Sequence, residues 1–366
     1  MNIFVVVGDP GSANATFPVI EKCLSEGLDV SGVSSGSATD IFRQKGFNSI
    51  EDTDDDLLSE DATGKLVNNK ASIVLSGAGA FNMVEHTIRR AAYEMKIPSV
   101  AVLDYWTNYM QRFFRFDGNK RIYSIPDKIC VMDEQVKTEM LFEGFQNDTI
   151  IVTGQPYFEY IQNWKGMLPE YELGNIRKKY MKNSDNLMVG FCTEPIEEDR
   201  KITGNNPGYN QYTTLETIFD LLNELCIQNN KKIHLVIRPH PREKESGYSY
   251  LLNKHNQSGY LSLEISKTGS SLEFVASCDM VTGMRTMALI EACFMKKIVI
   301  SYQPGLKQID HFLGTTRGFC PSIYERDNLR TILEKWIQDP GLMYGDCISN
   351  NSGAAENIIS VMKSIV

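Results

Sequence analysis

The chain has 366 residues, of which 42% are hydrophobic and 23% charged, a profile typical of a soluble globular protein long enough for two domains. Its formal net charge of −9 argues against nucleic acid as the main partner, because binding to a phosphate backbone needs a basic surface. No apolar run approaches the roughly 20 residues that span a bilayer, so the sequence predicts a cytoplasmic protein, although a basic surface patch could still support peripheral contact with a membrane.

The first 160 residues alternate apolar runs with polar turns and helical patterns. Short continuous runs of Val and Ile, typical of strands covered on both faces, predict strands at residues 3–7, 28–33, 71–75, 99–103, 128–132 and 149–152. Helical spacing of apolar residues predicts helices at residues 15–24, 82–95 and 133–142. The acidic stretch 51–61 is interpreted as a solvated loop or helix face. This order of elements predicts a parallel βαβ sheet.

Two carboxylates of this half come directly after predicted strands. Asp9 and Asp104 should therefore meet at one edge of the parallel sheet, where either could act as a general base. The alternative is that each only caps the helix that follows it. Loop N–H groups at Gly11 and Ser12 could face a polar ligand, and aromatic residues around Asp104, Trp106 among them, could stack on a sugar ring.

The pattern breaks after Val-Thr-Gly-Gln-Pro (152–156), and residues 157–186 are helical, charged and aromatic. Alternation then restarts, with strands predicted at residues 187–192, 233–237, just before Thr282, 297–302 and 318–322, and helices at 213–228, 287–292, 328–337 and 354–365. These patterns predict a first domain (1–160), hinge helices (161–186), a second domain (187–345) and a terminal segment (346–366) that contains the last helix.

A cationic motif ends the strand predicted at residues 233–237. The prolines of Arg-Pro-His-Pro (238–241) restrict the backbone, so the strand should end there with Arg238 and His240 held at its tip. His240 could bind a phosphate or a nucleotide ribose, with Arg238 adding charge. The alternative is a turn histidine that only caps local backbone groups.

A second polar turn follows about forty residues later. Thr282 and Gly283 are predicted to open a helix whose free N–H groups favour a phosphate, with Arg285 and Thr286 in the same turn. Ordinary capping by Thr282 is the competing interpretation. Glu291 lies in an apolar stretch, where it either accepts hydrogen bonds from a ribose or points to solvent.

Three motifs in order give the chain its resemblance to the GT-B glycosyltransferases: Val-Thr-Gly-Gln-Pro (152–156), Arg-Pro-His-Pro (238–241) and Cys-Asp-Met-Val-Thr-Gly-Met-Arg-Thr-Met-Ala-Leu-Ile-Glu-Ala (278–292). The resemblance covers nearly the whole chain and implies an α/β fold with two Rossmann-like domains facing a central cleft. In that superfamily the second domain binds the nucleotide of an activated sugar and the first binds the acceptor. The terminal helix often crosses back to the first domain.

The His-Pro motif with a later hydroxyl-rich turn is similar to bacterial transferases of the CMP-sialic acid, Kdo and CDP-glycerol types. In those enzymes the histidine and the hydroxyl residues contact the nucleotide phosphate, which carries over to His240, Thr282 and Thr286. The paired serines of the sialyltransferase pattern are absent from this sequence.

The resemblance implies an inverting, metal-independent transferase of the hexosyl or nonulosonate type, which moves a sugar from a CMP- or UDP-type donor to a glycan or protein acceptor in bacterial surface-polysaccharide or glycoprotein biosynthesis. Asp9 or Asp104 would be its base, and Gly11, Ser12 and Trp106 would contact the acceptor. No cofactor or metal is predicted, because the eight cysteines form no CxxC pair and Asp54-Asp55-Asp56 lies in the solvated acidic run. The alternatives are a non-hydrolysing UDP-sugar 2-epimerase, which shares the architecture, and a non-catalytic nucleotide- or glycan-binding protein.

Overall fold

A computed structural model describes residues 1–80, 82–181, 186–254, 259–341 and 353–366. The chain divides into two compact units, Met1–Tyr160 with Asn350–Val366, and Ile161–Ser349. We refer to them as unit 1 and unit 2. The predicted stretches 161–186, 187–345 and 346–366 each include residues outside the described ranges, namely 182–185, 255–258 with 342–345, and 346–352.

Unit 1 is built on a parallel sheet with helices between its strands. Its strands in the described chain are β1 (Asn2–Val7), β2 (Asp29–Ser34), β3 (Ile50–Asp52), β4 (Ile73–Ser76), β5 (Ser99–Val102), β6 (Phe114–Asp117), β7 (Lys120–Tyr123), β8 (Lys128–Val131) and β9 (Ile150–Val152). Its helices there are α1 (Pro10–Ser25), α2 (Ser37–Gln44), α3 (Ser59–Asn68), α4 (Val84–Glu94), α5 (Glu134–Phe142) and the start of α6 (Pro156–Met167). The sheet order is β3-β2-β1-β4-β5-β8-β9, while β6 and β7 form a separate antiparallel hairpin.

The strand order of this sheet reverses between β1 and β4. β1 pairs in parallel with β2 on one side and β4 on the other, so that Val5 lies opposite both Gly32 and Leu75. This is the Rossmann arrangement, in which ligands bind beyond the carboxyl ends of the strands at the reversal. β1 and β4 are buried because helices cover both faces of a parallel sheet, which explains their continuous apolar sequences.

Unit 2 repeats the same plan. Its strands in the described chain are β10 (Leu187–Cys192), β11 (Ile233–Arg238), β12 (Leu261–Ile265), β13 (Met280–Gly283), β14 (Ile298–Tyr302) and β15 (Ser322–Ile323). Its helices there are α7 (Glu170–Lys178), α8 (Ile196–Thr203), α9 (Gln211–Gln228), α10 (Ser249–Lys254), α11 (Ser271–Ser277), α12 (Met287–Phe294), α13 (Leu313–Thr316) and α14 (Arg326–Gln338). The parallel order β12-β11-β10-β13-β14-β15 reverses between β10 and β13.

The last helix, α15 (Ala354–Ile365), belongs to unit 1. The carboxylate of Glu159 in α6 accepts hydrogen bonds from the backbone N–H groups of Gly353 (2.6 Å) and Ala354 (2.8 Å) at its N-terminus. The apolar side of α15, which includes Ile358 and Met362, is buried. α15 therefore completes the core of the unit that also contains the first residues of the chain.

Helix α7, within the segment predicted as hinge helices, lies in unit 2, where Arg177 forms an ion pair with Asp279 at 2.7 Å. One sequence prediction differs from the structure in this region of the chain. Thr282 and Gly283 do not open a helix, because they end strand β13, and α12 begins only at Met287. A search of the described residues finds no helix with the length and apolarity needed to cross a membrane.

Candidate active site

A pocket of about 510 Å³ opens at the carboxyl ends of β1, β4 and β5 in unit 1. It is lined by Gly8, Asp9, Asp55, Ala80, Asn82, Asp104, Tyr105, Thr107, Asn108 and Arg112. The pocket lies where the strand order reverses, which is the position that parallel sheets use for ligands. Both carboxylates that the sequence analysis singled out in this half line it.

Asp9 is both the cap of α1 and part of the pocket wall. One of its carboxylate oxygens accepts a hydrogen bond from the Ser12 backbone N–H (2.9 Å), and the other accepts from the Asn82 amide (3.1 Å) and the Ser12 hydroxyl (3.3 Å). The capping role and a chemical role are therefore compatible, because the same carboxylate also borders the pocket.

Asp104 is held by a buried arginine. Arg112 donates to the Asp104 carboxylate and to the Ala78 carbonyl, each at 2.5 Å, and to the Thr107 carbonyl at 2.9 Å. Burial raises the pKa of Asp104 to about 6; Arg112 opposes that rise and the neighbouring Asp9 carboxylate adds to it. A carboxyl group whose pKa is raised in this way suits the role of a general acid or base.

Glycines let these carboxylates approach the backbone closely. A Cβ at Gly11 would overlap an Asp104 oxygen and would lie 3.2 Å from Asp9 Oδ1. A Cβ at Gly79 would overlap both the Asn82 amide nitrogen and an Asp9 oxygen. Asp9 and Asp104 thus meet around Gly11. A side chain at Gly11 would displace Asp104, and a side chain at Gly79 would displace Asp9.

A third carboxylate, Glu85, lies fully buried below the pocket floor. It accepts hydrogen bonds from the backbone N–H groups of Gly8 (3.0 Å) and Gly79 (2.8 Å), and Arg89 lies 3.5 Å away. Burial raises the pKa of Glu85 to about 7, with a further rise from the charge of Asp9, while Arg89 opposes the shift. Glu85 touches two loops that shape the pocket and has no surface in the pocket itself, so it is a positioning residue.

Other residues of unit 1 depart from their predicted places. Trp106 is 4% exposed, its indole N–H donates to Asp133 (3.1 Å) and its ring stacks on Phe158, so it lies in the core and outside the pocket lining. Gly11 and Ser12 lie in the first turn of α1, with Ser12 buried against Asp9. Asp55, which belongs to the acidic stretch predicted to be solvated, accepts hydrogen bonds from the backbone N–H groups of Met83 (2.9 Å) and Val84 (3.2 Å) at the start of α4. The sequence offers no local signal for this contact, because Met83 lies 28 positions from Asp55.

In unit 2 a buried carboxylate shapes the turn around His240. Glu243 accepts hydrogen bonds from the His240 backbone N–H (3.1 Å), the Tyr248 hydroxyl (2.6 Å) and the Thr193 hydroxyl. The Thr193 oxygen in turn accepts from the same His240 N–H at 2.8 Å, which ties this turn to the end of β10. His240 Nδ1 accepts from the Arg242 backbone N–H (3.2 Å), and among the described residues no hydrogen bond to its Nε2 is found.

Arg285 lies beside a second carboxylate that sequence reasoning missed. Glu194, just after β10, is 3.6 Å from the Arg285 guanidinium and carries a buried oxygen without a hydrogen-bond partner among the described residues. Burial raises the pKa of Glu194 to about 7, against the effect of Arg285. A phosphate at this turn would therefore compete with Glu194 for Arg285.

Four predicted nucleotide contacts of unit 2 are occupied within the protein. Thr282 is buried and donates its hydroxyl to the Ile300 carbonyl (3.0 Å), and Thr286 caps α12. Arg238 donates to the carbonyls of residues 268 (2.6 Å) and 269 (2.7 Å). Glu291 is buried and accepts from the Ser271 hydroxyl at 2.5 Å, so it does not point to solvent. Gly283 is buried too, and a Cβ at this position would lie 2.5 Å from the Cys192 carbonyl oxygen.

The described residues contain no group of three or more His, Cys, Asp or Glu side chains arranged to hold a metal ion. The polar residues in both units are instead paired with arginine, backbone N–H groups or hydroxyls. What the arrangement offers chemically is proton transfer in unit 1 and hydrogen bonding to a polar ligand in unit 2.

The two parallel sheets with their reversed strand order define a GT-B fold with two Rossmann-like domains, which confirms the predicted fold class. No protein-family profile matches the chain, and a search of curated proteins finds no match. Among solved structures, the chain is similar to UDP-GlcNAc 2-epimerase from Methanocaldococcus jannaschii, with a TM-score of 0.73, 14% identity and full coverage of both chains.

Two further solved structures show the same fold. UDP-GlcNAc 2-epimerase from Neisseria meningitidis, bound to UDP-GlcNAc, has a TM-score of 0.73 at 14% identity with full coverage of both chains. MurG from Acinetobacter baumannii has a TM-score of 0.56 at 10% identity, again with full coverage of both chains.

The predicted glycosyltransferase activity is wrong by this comparison, because the similar structures are mainly UDP-GlcNAc 2-epimerases, which favours the epimerase alternative. These comparisons do not confirm the predicted CMP- and CDP-dependent transferase types.

Proposed function

We propose that this protein is an epimerase of nucleotide sugars, similar to the non-hydrolysing UDP-sugar 2-epimerases. The observation that carries the proposal is the meeting of Asp9 and Asp104 around Gly11 in the unit 1 pocket, with the pKa of Asp104 raised to about 6. The 2-epimerase structures with the same fold, one of them bound to UDP-GlcNAc, support the choice of substrate class.

The reaction class fits a pair of carboxyl groups. Inverting C2 of the sugar removes a proton from one face and delivers a proton to the other, so one group must accept a proton while another donates one. The electron pair of the broken C2–H bond would form a C1–C2 double bond as the nucleoside diphosphate leaves C1. Addition of a proton to the opposite face of C2, with return of the diphosphate to C1, would then give the epimer. The product is an isomer of the substrate, so the reaction consumes no acceptor, oxidant or reductant. Asp104 and Asp9 would carry the protons, while Arg112 and Glu85 would hold the carboxylate and the loops in position.

Unit 2 would hold the nucleotide. His240 offers a ring nitrogen at a turn that hydrogen bonds to Glu243 and Thr193 hold in place. Arg285 offers a guanidinium beside Glu194, whose pKa burial raises to about 7. Protonation of Glu194 would free Arg285 to bind an anionic group, because a neutral carboxyl competes weakly for a cation.

The test is incubation of the purified protein with UDP-GlcNAc in D₂O, without any acceptor, followed by proton NMR of the sugar. We expect the 2-epimer to form and the proton at C2 to be replaced by deuterium. Asp104→Asn and Asp9→Asn should each lower the initial rate by about 100-fold or more, the usual contribution of a general acid or base. Asp40→Asn, at an exposed position on α2, is the matched control and should keep the wild-type rate.

A thermal-shift measurement with UDP separates binding from turnover. A ligand at about 100 times its dissociation constant stabilises a protein by about 2.7 kcal/mol, which should raise the unfolding midpoint of wild type and Asp104→Asn alike. Stabilisation without epimer or exchange would refute the epimerase and favour the non-catalytic binding protein. If UDP-, CDP- and CMP-linked sugars neither stabilise the protein nor are turned over by it, the nucleotide-sugar proposal is refuted altogether.

A further inference from the structure

The β6–β7 hairpin of unit 1 presents an aromatic and cationic face. In the described chain it pairs with neither parallel sheet. Its register places Phe114 opposite Tyr123 and Phe116 opposite Arg121, so these four side chains share one face of the hairpin. The rings of Phe114 and Phe116 are 5.4 Å apart, and the Arg121 guanidinium lies 4.9 Å from the first and 5.8 Å from the second. We call these four residues the hairpin face.

The hairpin face is exposed and continues across a groove. Phe116 is 63% exposed, and Tyr123 and Arg121 are exposed as well. A groove of about 410 Å³ beside them is lined in part by Arg90 and by Tyr93, which is 80% exposed. Large exposed aromatic residues that cluster on one surface mark an interaction site rather than ordinary surface.

The charge of the hairpin is opposite to that of the whole protein. Residues 114–123 carry three cations, Arg115, Lys120 and Arg121, against the single acid Asp117, whereas the chain has a net charge of −9. A partner that matches this surface is anionic and has an apolar layer within reach of the aromatic rings.

Hydrogen bonds from buried side chains of α4 fix both ends of the hairpin. The buried guanidinium of Arg89 donates to the Arg112 carbonyl (3.2 Å), just before β6, and to the Ser124 carbonyl (2.9 Å), just after β7. His86 makes a further hydrogen bond to the Ser124 hydroxyl at 2.6 Å. Because both ends of the hairpin are fixed, the hairpin face loses little conformational entropy when it binds a partner.

We propose that the hairpin face binds the surface of a bilayer containing anionic lipids. Aromatic side chains and long cations suit the headgroup level, where the rings enter the apolar boundary and the cations meet lipid phosphates. A second copy of this chain fits less well, because a twofold interface places the same patch on both partners and would bring the Arg121 guanidinium into one interface with its own copy. The proposal is independent of the epimerase activity, since the hairpin face and its groove share no residue with the pocket lining.

The test is co-sedimentation of the full-length protein with two kinds of vesicle, one of phosphatidylcholine alone and one that also contains about 40% phosphatidylglycerol. The anionic lipid gives the second kind a negative surface potential that attracts clustered cations. We expect binding to the anionic vesicles only, falling as salt rises. Arg121→Glu should weaken the partition by about 5-fold or more, and Phe116→Ser should weaken it without changing its dependence on salt.

The matched control is Phe142→Ser. Phe142 is 89% exposed, but it lies at the end of α5 near Glu139 and Glu143, so it lacks the cationic surroundings of Phe116. Its substitution should leave vesicle binding unchanged. Absence of wild-type binding to anionic vesicles, or full binding by Phe116→Ser combined with Arg121→Glu, would overturn the proposal. So would sedimentation velocity showing a dimer that those two substitutions dissociate, because the face would then join two copies of the chain.

Discussion

Glu85 shows how burial turns one carboxyl into a pH-dependent support for the pocket. Its ordinary pKa of 4.5 is raised to about 7 in the fold. Between these values the folded protein keeps a proton that the unfolded chain has lost, so the stabilisation is present at low pH and disappears as pH rises through 7. The neighbouring Arg89 also donates to the carbonyls of Ser124 (2.9 Å), Gly77 (3.0 Å) and Arg112 (3.2 Å).

Glu85→Gln cannot take up that proton. We expect the difference in unfolding free energy between wild type and Glu85→Gln to shrink by about 1 kcal/mol from pH 6 to pH 8, measured by urea denaturation. Glu94→Gln, which breaks an exposed ion pair with Arg90, should give a difference below about 0.5 kcal/mol that does not vary with pH. Parallel pH curves for wild type and Glu85→Gln would show that Glu85 is ionised throughout.

Arg112 holds the pKa of Asp104 below the value that burial alone would give. Arg112→Gln should therefore raise that pKa by about one unit or more and move the acidic limb of the exchange rate to higher pH, because a base must be ionised to accept a proton. The measurement is C2 deuterium exchange from pH 5 to 9, with the exposed Arg43→Gln as control. A rate that falls equally at every pH would assign Arg112 a purely structural role.

Single residues differ in how well the sequence places them. Asp9 and Asp104 could be predicted because each directly follows a strand, and strand ends converge in a parallel sheet. Glu194 and Glu243 could not, since their importance depends on partners 50 or more positions away, such as Arg285 for Glu194 and Thr193 for Glu243. No local pattern reports that kind of contact.

At the scale of elements, the covered strands were predictable, whereas the edge strands β3 and β12 were not. β1 and β14 read as continuous apolar runs because both of their faces are buried. β3 and β12 lie at the ends of their sheets, where exposed positions carry polar residues such as Glu51 and Asp52, and both were missed as strands. The β6–β7 hairpin was missed for the same reason, because its aromatic and cationic residues do not alternate with a buried face.

The turn after β4 depends on a glycine that leaves no room for a side chain. A methyl group at Gly79 would overlap Asn82 and Asp9, so Gly79→Ala should destabilise the protein by about 1 to 3 kcal/mol and lower the exchange rate by moving Asp9. Gly64→Ala, within helix α3 and with no atom within 4 Å of the new methyl, should instead stabilise by about 0.5 to 1 kcal/mol. Thermal unfolding and C2 deuterium exchange of both variants test this prediction. Equal stability of the two variants would contradict the close packing of Asn82 and Asp9 around Gly79.

On the scale of the whole molecule, two units share one strand order but differ in what their strand ends carry. Unit 1 gathers carboxylates around glycine turns, whereas unit 2 ties a histidine and an arginine to buried glutamates. The α/β alternation was enough to predict two Rossmann-like domains, because the period of the apolar pattern fixes element type and order. The reaction was not predictable in the same way, since one fold hosts both epimerases and other enzymes and the polar residues at its strand ends decide the chemistry.

The end of the chain stabilises its beginning. Ile358 of α15 is fully buried in unit 1, and Glu356 of the same helix forms an ion pair with Lys22 of α1 at 2.8 Å. Ile358→Ala should leave a cavity in unit 1 and lower the unfolding free energy by about 3 kcal/mol, with faster amide exchange in α1 and β1. Ile309→Ala, at a position 75% exposed in unit 2, should change the free energy by less than about 0.5 kcal/mol. Urea denaturation and hydrogen–deuterium exchange test this, and equal effects of the two substitutions would show that α15 adds nothing to the core of unit 1.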